Sequence, residues 1–337
     1  MQFVSEFVTL NPVTTKKLQK EEMKMNFDLS QLYIVDFVKS LGRKKNIFAV
    51  IYLVLNVALI TLLMQLFVGN FWLGLLFGVL LYAITATIAL SPVGEWMFRI
   101  FNGCKQIKDP EILNRLNPLF QEVKARAQAQ RTDCIIDDKI KLYIREDDSL
   151  NAFAMGRRTI CVNRGLLALS DEQIKGILGH EFGHLATHDT DLTLLITVGN
   201  FIVTAIITFI RVILALYSMF VSLIAIFCGE EGAFVRLMNS FATFMTTLMI
   251  NGFMWLWSQV GILLVMKTSR DAEFEADAFA CDLGYSEGLL TFFRALSTME
   301  SRAGLKGRGN IFAALAASHP ATDKRIAKIE SRALTKV

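Results

Sequence analysis

The sequence predicts a mainly α-helical integral membrane protein, with helical transmembrane hairpins and a soluble α+β part carrying a small β-sheet. Three observations predict it. Hydrophobic residues make up 53% of the 337-residue chain and the mean hydropathy is +0.43, above the range of ordinary soluble proteins. Apolar, almost chargeless runs recur along the chain, each long enough to cross a bilayer. Polar stretches with helical or alternating periodicity lie before, between and after them.

Residues 1–46 form a basic extension, with Lys16, Lys17, Lys20, Lys24, Lys39, Arg43, Lys44 and Lys45. The first apolar run follows Lys44-Lys45 with no small-residue cleavage site, so it reads as a retained anchor. Residues 47–90 read as a transmembrane hairpin, two spans joined at Val68-Gly69-Asn70 and stopped by Ser91-Pro92. Basic residues precede it and return at Arg99, Lys105 and Lys108, which puts both of its ends in the cytoplasm.

Residues 91–191 read as the first part of a soluble domain. Pro110 to Ala129 is helical, and Ile140 to Ile144 alternates as a strand. Two short strands, Asn151 to Ala154 and Thr159 to Val162, join through Gly156-Arg157-Arg158. Residues 192–266 read as a second apolar hairpin, transmembrane or, as the alternative, a helical hairpin buried in protein, with a loop at Gly229-Glu230-Glu231-Gly232. Its first arm, Leu192 to Phe227, is interrupted only by Arg211. As one helix it would measure roughly 50 Å against a hydrocarbon core of ~30 Å. Either the preceding soluble helix runs on into the bilayer or the run contains a break. Residues 267–337 return to a soluble character, with helices over Asp271 to Leu283, Glu287 to Met299 and Thr322 to Leu334.

Net charge is +4, so no nucleic-acid footprint is expected. The five cysteines are odd in number and contain no C-x-x-C pair, which reads as reduced thiols.

The chemistry concentrates in His180-Glu181-Phe182-Gly183-His184. Side chains four apart stack on one helix face, so two imidazoles reach one ion while Glu181 stands a quarter-turn aside, placed as a general base. Ser170 to Gln173 supplies the helix start. A pentapeptide of this kind also recurs by chance, and a catalytic zinc needs a third protein ligand. His188 shares the face, but three stacked turns do not converge on one tetrahedral ion. The acidic run Ser269 to Asp277 offers better. Glu273 and Asp277 share a face and Glu275 opposes them, so one of the pair can ligate while the other orients an imidazole. A solvated charged face is the alternative.

His180-Glu181-x-x-His184, the later Glu273-x-x-x-Asp277, Asn151-Ala152-Phe153-Ala154 before the motif and His319-Pro320 with Arg325 near the end together resemble the HtpX-like membrane zinc metallopeptidases. These share a gluzincin signature with the type I CAAX prenyl endopeptidases. The resemblance runs from about residue 47 to residue 330, and the long N-terminal extension and His188 depart from it. It implies a cytoplasmic zincin-type catalytic domain with one zinc ion per chain, held by His180, His184 and Glu273, and Glu181 as base. Asp277, Arg325 and Asp189 would stand behind these ligands, although Asp189 also suits a plain helix end. His319 would donate to the oxyanion, with helix capping as its alternative. Asn151, Ala152, Phe153 and Ala154 would form a substrate-side edge strand that takes an extended peptide by strand addition, or a purely structural strand.

The implied activity is a zinc-dependent endopeptidase on misfolded or damaged membrane proteins, in quality control and stress response. It would act at the cytoplasmic face of a multi-pass protein of the plasma (bacterial inner) membrane. Its partners would be polypeptide substrates and the lipid bilayer. A CAAX-type prenyl-protein endopeptidase and a non-enzymatic zinc-stabilised scaffold are the alternatives. An intramembrane site fits poorly, because Asp171, Glu172, Lys175, His188, Asp189 and Asp191 surround the motif.

Overall fold

The computed structural model describes residues 33–34, 37–38, 47–130, 136–302 and 322–335. His319 and nearly all of the basic extension lie outside the described residues.

Helices α1 (Ile47–Val68) and α2 (Phe71–Ala89) form the first apolar hairpin. Asn70 caps α2, its side chain accepting from the Leu73 N–H at 3.1 Å. The chain then turns at Ser91, whose hydroxyl accepts from the Val93 and Gly94 N–H groups. Pro92 fills the first position of α3 (Pro92–Phe101), where no N–H is needed.

The α+β part opens with β1 (Lys105–Gln106) and α4 (Pro110–Ala129), and continues with β2 (Lys141–Arg145), β3 (Ala152–Met155) and β4 (Thr159–Asn163). The sheet order is β1-β2-β4-β3. β2 runs parallel to β4, and β3 pairs antiparallel with β4 through Ala152↔Val162 and Ala154↔Ile160. β3 is therefore an edge strand.

Helix α5 (Asp171–Thr187) begins with a capping box, Ser170 and Gln173 bonding each other's backbone N–H. It carries His180 and His184. Its run ends at His188, in the left-handed region at φ 57. The break therefore falls before the apolar run: α6 (Thr190–Ile226) starts afresh and carries Leu192 to Ile226 as one unbroken helix, so neither a continuous histidine helix nor a break inside the run is found.

Helix α7 (Gly229–Asp282) is 54 residues long. Two sequence expectations change here. Gly229 to Gly232 is the first turn of α7 and not a loop. The reversal is confined to Phe227 and Cys228, and Gly232 closes so near α6 that a Cβ there would meet the Ala225 carbonyl oxygen at 1.8 Å. Asp271 to Leu283 is not a separate helix. It is the polar end of the rod that begins in the apolar hairpin, because a change from apolar to charged side chains does not break the backbone. Helices α8 (Ser286–Arg302) and α9 (Thr322–Thr335) complete the described chain.

Among the described residues three helical stretches are long and apolar enough to cross a membrane: Phe71–Ala89, Thr190–Ile226 and Glu231–Trp257. Two hydrophobic cores flank the sheet. One joins α4, α5 and α8 through Phe120, Val123, Leu178, Phe182 and Phe293. The other gathers Leu90, Phe98, Leu194 and Leu195 at the ends of the apolar helices. All five residues of β4 are buried. Ile160 and Val162 enter the first core, and Cys161 enters the second.

Candidate active site

The site forms where α5 crosses α7. Gly183, between the two histidines, makes the crossing close. A Cβ there would stand 2.7 Å from the Cα of Ala276. Without one, α7 comes near enough for Glu273 to face both imidazoles.

His180 Nε2 and His184 Nε2 lie 3.2 Å apart. Glu273 offers Oε2 at 3.5 Å from the first and Oε1 at 3.7 Å from the second. One ligand atom from each of the three lies within 4.8 Å of the others. The two rings stand nearly perpendicular, at 88°, so their nitrogens converge.

Behind this trio, Asp277 Oδ1 meets His180 Nδ1 at 2.9 Å. That bond favours the proton on Nδ1 and turns the Nε2 lone pair towards Glu273. Arg325, on α9, donates to both oxygens of Asp277 at 2.6 and 2.8 Å. Its Nη1 lies 2.9 Å from Glu273 Oε2, and its guanidinium stacks 4.1 Å from the Phe293 ring centre. Asp189 Oδ2 lies 3.9 Å from His184 Nδ1. Glu275 is exposed, on the far side of α7.

Glu181 stands apart from the trio. It is 6% exposed, and its Oε2 accepts the Ala154 N–H at 2.7 Å. Burial pushes its carboxyl above the usual range, against the pull of His180 and His184. The bond also fixes how β3 is turned. Asn151 accepts from the Asn163 N–H on the β4 side at 2.9 Å, so alternation directs the backbone groups of Ala152 and Ala154 to the outer edge. Asn151 is exposed, Ala152 buried, and Phe153 and Ala154 half-buried. The edge strand and the paired histidines thus meet at Glu181.

The family model for Peptidase family M48 matches residues 119–333. The chain belongs to peptidase family M48. This M48 chain is a metalloprotease, a peptide-bond hydrolase. It is 27% identical over 273 residues to Protease HtpX of Shewanella frigidimarina, an alignment covering 77% of this chain and 88% of that one. It is 28% identical to Protease HtpX of Shewanella oneidensis (73% and 84% covered). It is 27% identical to the Protease HtpX homolog of Bacillus pumilus (71% and 79%).

The donor set of this M48 peptidase fits a divalent cation. Two imidazoles and a carboxylate are the ligands of one common type of catalytic zinc site. Glu181, Glu273 and Asp277 are three buried carboxyl groups facing the single Arg325 guanidinium, a set that a further positive charge would balance. Burial alone would lower the His184 pKa. The Asp189, Glu181 and Glu273 carboxylates instead push it up to about 9, so the surroundings stabilise a positive charge at this point.

Three contributors gave no local sequence signal. Gly183 is a variable position of the motif, and its role appears only against Ala276. Glu95 and Tyr33 meet the Gly156 turn across more than sixty residues of sequence.

Proposed function

We propose that this M48 peptidase is a membrane-embedded zinc endopeptidase that cuts misfolded or damaged membrane proteins at the cytoplasmic face. The observation that carries the reading is the convergence of His180, His184 and Glu273 beside Glu181, with the edge of β3 against that glutamate. The apolar helices and the resemblance to Protease HtpX support the membrane setting.

His180, His184 and Glu273 would hold the ion. Bound there, zinc lowers the pKa of a water towards neutrality and polarises a carbonyl. Glu181 takes the proton of the attacking water and returns it to the leaving amine. Its raised pKa suits both transfers. Asp277 and Arg325 orient His180 and hold Glu273 from behind. The Ala152 backbone on the outer edge of β3 receives an extended peptide by strand pairing, so an unfolded segment fits and a folded one does not. His319 serves as oxyanion donor by its resemblance to the family pattern.

The test compares purified wild type with Glu181→Gln in detergent. The variant should keep its metal content and lose hydrolysis of an unfolded protein by at least about hundredfold. Unchanged cleavage would overturn the mechanism. Preference for a farnesylated C-terminal peptide over unfolded protein would replace the substrate class.

A further inference from the structure

Glu95, on α3, is 1% exposed. Its two oxygens receive four hydrogen bonds. Oε2 takes the Tyr33 hydroxyl at 3.0 Å and the Arg157 N–H at 3.3 Å. Oε1 takes the Arg158 N–H at 3.1 Å and the Thr159 hydroxyl at 2.6 Å. Thr159 Oγ1 in turn accepts from Arg99 Nη1 at 2.9 Å, which commits its own proton to Glu95. Every neighbour donates, so the geometry is that of a carboxylate acting as acceptor throughout.

Two of those four donors, Arg157 and Arg158, belong to the segment that joins β3 to β4, and a third, Thr159, is the first residue of β4. Gly156 sits in that segment at φ 53, and a Cβ on it would stand 2.6 Å from Glu95 Oε2. Only glycine serves both the backbone angle and the approach. The same turn is tied elsewhere. The Gly156 carbonyl accepts the Thr190 hydroxyl at the start of α6. Arg157 pairs with Asp191 at 2.8 Å and stacks 4.5 Å from the Tyr33 ring centre. Two residues before Gly156, the Ala154 N–H meets Glu181.

A buried charge is costly, and a well-packed apolar side chain would stabilise this core at least as well. What an apolar residue cannot do is aim a turn. We propose that Glu95 is a positioning residue for peptide hydrolysis: it fixes the Gly156 turn, and through it the outer edge of β3, against Tyr33 and the membrane-proximal ends of α3 and α6. The inference rests on the reading of β3 as the strand that receives substrate. Tyr33 extends the device into the N-terminal extension, the part of the chain that departs from the family pattern.

The experiment uses the full-length, metal-loaded protein and two fluorogenic peptides of the same sequence, one of them N-methylated at alternate backbone amides so that it cannot pair with a strand. Glu95→Gln places an amide N–H₂ against N–H donors, and Tyr33→Phe removes one hydroxyl. On the unmodified peptide KM should rise about tenfold in Glu95→Gln and about threefold in Tyr33→Phe, with kcat changed by less than about twofold. On the N-methylated peptide, wild type and variants should share one high KM. Metal content should be the same in all three proteins. An unchanged KM, an equal loss on both peptides, or a loss of metal would each overturn the proposal. If wild type cleaves but Glu95→Gln is indifferent, only this inference fails. A wild type inert on peptides and unfolded protein alike removes the endopeptidase reading, and this one with it.

Discussion

Glu273 and Glu275 are two residues apart and chemically alike, yet one is 2% exposed beside two imidazoles and the other faces solvent. Glu273→Ala should therefore lose the metal, while Glu275→Ala should retain it. Metal content of the purified variants decides, and the reverse result would reassign the third ligand. Removing the ion should also loosen the fold, since it binds only the folded arrangement of α5 and α7. With free zinc at a hundredfold excess over its Kd, the bound state gains about 2.7 kcal/mol. A chelator should lower Tm in wild type and leave Glu273→Ala unmoved. A different residue sets an acid limit away from the site. Burial would raise the Asp137 carboxyl, but the Lys139 N–H and the Arg158 guanidinium at 2.7 Å hold it below its ordinary range. A carboxyl whose folded pKa is depressed contributes stability above its unfolded value, roughly pH 3.9, and loses it as pH falls through the folded one. Between about pH 5 and 3 the Tm of wild type should fall more steeply than that of Asp137→Asn; parallel curves would remove this contribution.

The elements were legible in proportion to how local their causes are. The capping box at Ser170, the helix from Pro110 to Ala129 and the strands around Gly156 are written in neighbouring residues, and the backbone follows them. The placement of Glu273 beside His180 is not local, and sequence spacing left it open against Asp277. The loop expected at Gly229 to Gly232 failed because only Gly229 bends the chain, at φ 62, while Gly232 serves close contact between helices, and glycine in a sequence looks the same whether it bends a chain or admits a neighbour. Gly183 is the second kind. Gly183→Ala would press a methyl onto the Ala276 main chain, costing about 1–3 kcal/mol or forcing α5 from α7. Adding Ala276→Gly should not repair it, because the nearest atom is the Cα and not the side chain. Recovery of metal binding in the double variant would show that the crossing is looser than this.

The whole molecule is set across two apolar hairpins of unequal length. At 1.5 Å per residue α2 measures about 28 Å and α6 about 55 Å, with 19 and 37 residues respectively. The tip between α6 and α7, where Phe227 is 89% exposed and Cys228 is a free exposed thiol, lies far along the rods from His180, His184 and Glu273. In the proposed orientation a membrane-impermeant maleimide should label Cys228 from outside the cell. A cysteine placed at Lys175 should react only in inverted vesicles. Labelling of both from one side would refute the topology. β4 has a separate consequence. It is a wall shared by two rooms, one holding the histidine helix and the other the feet of the apolar rods. Neither room can be emptied while the other stays furnished, so its amides should be among the slowest to exchange with deuterium, and the two halves should lose order together.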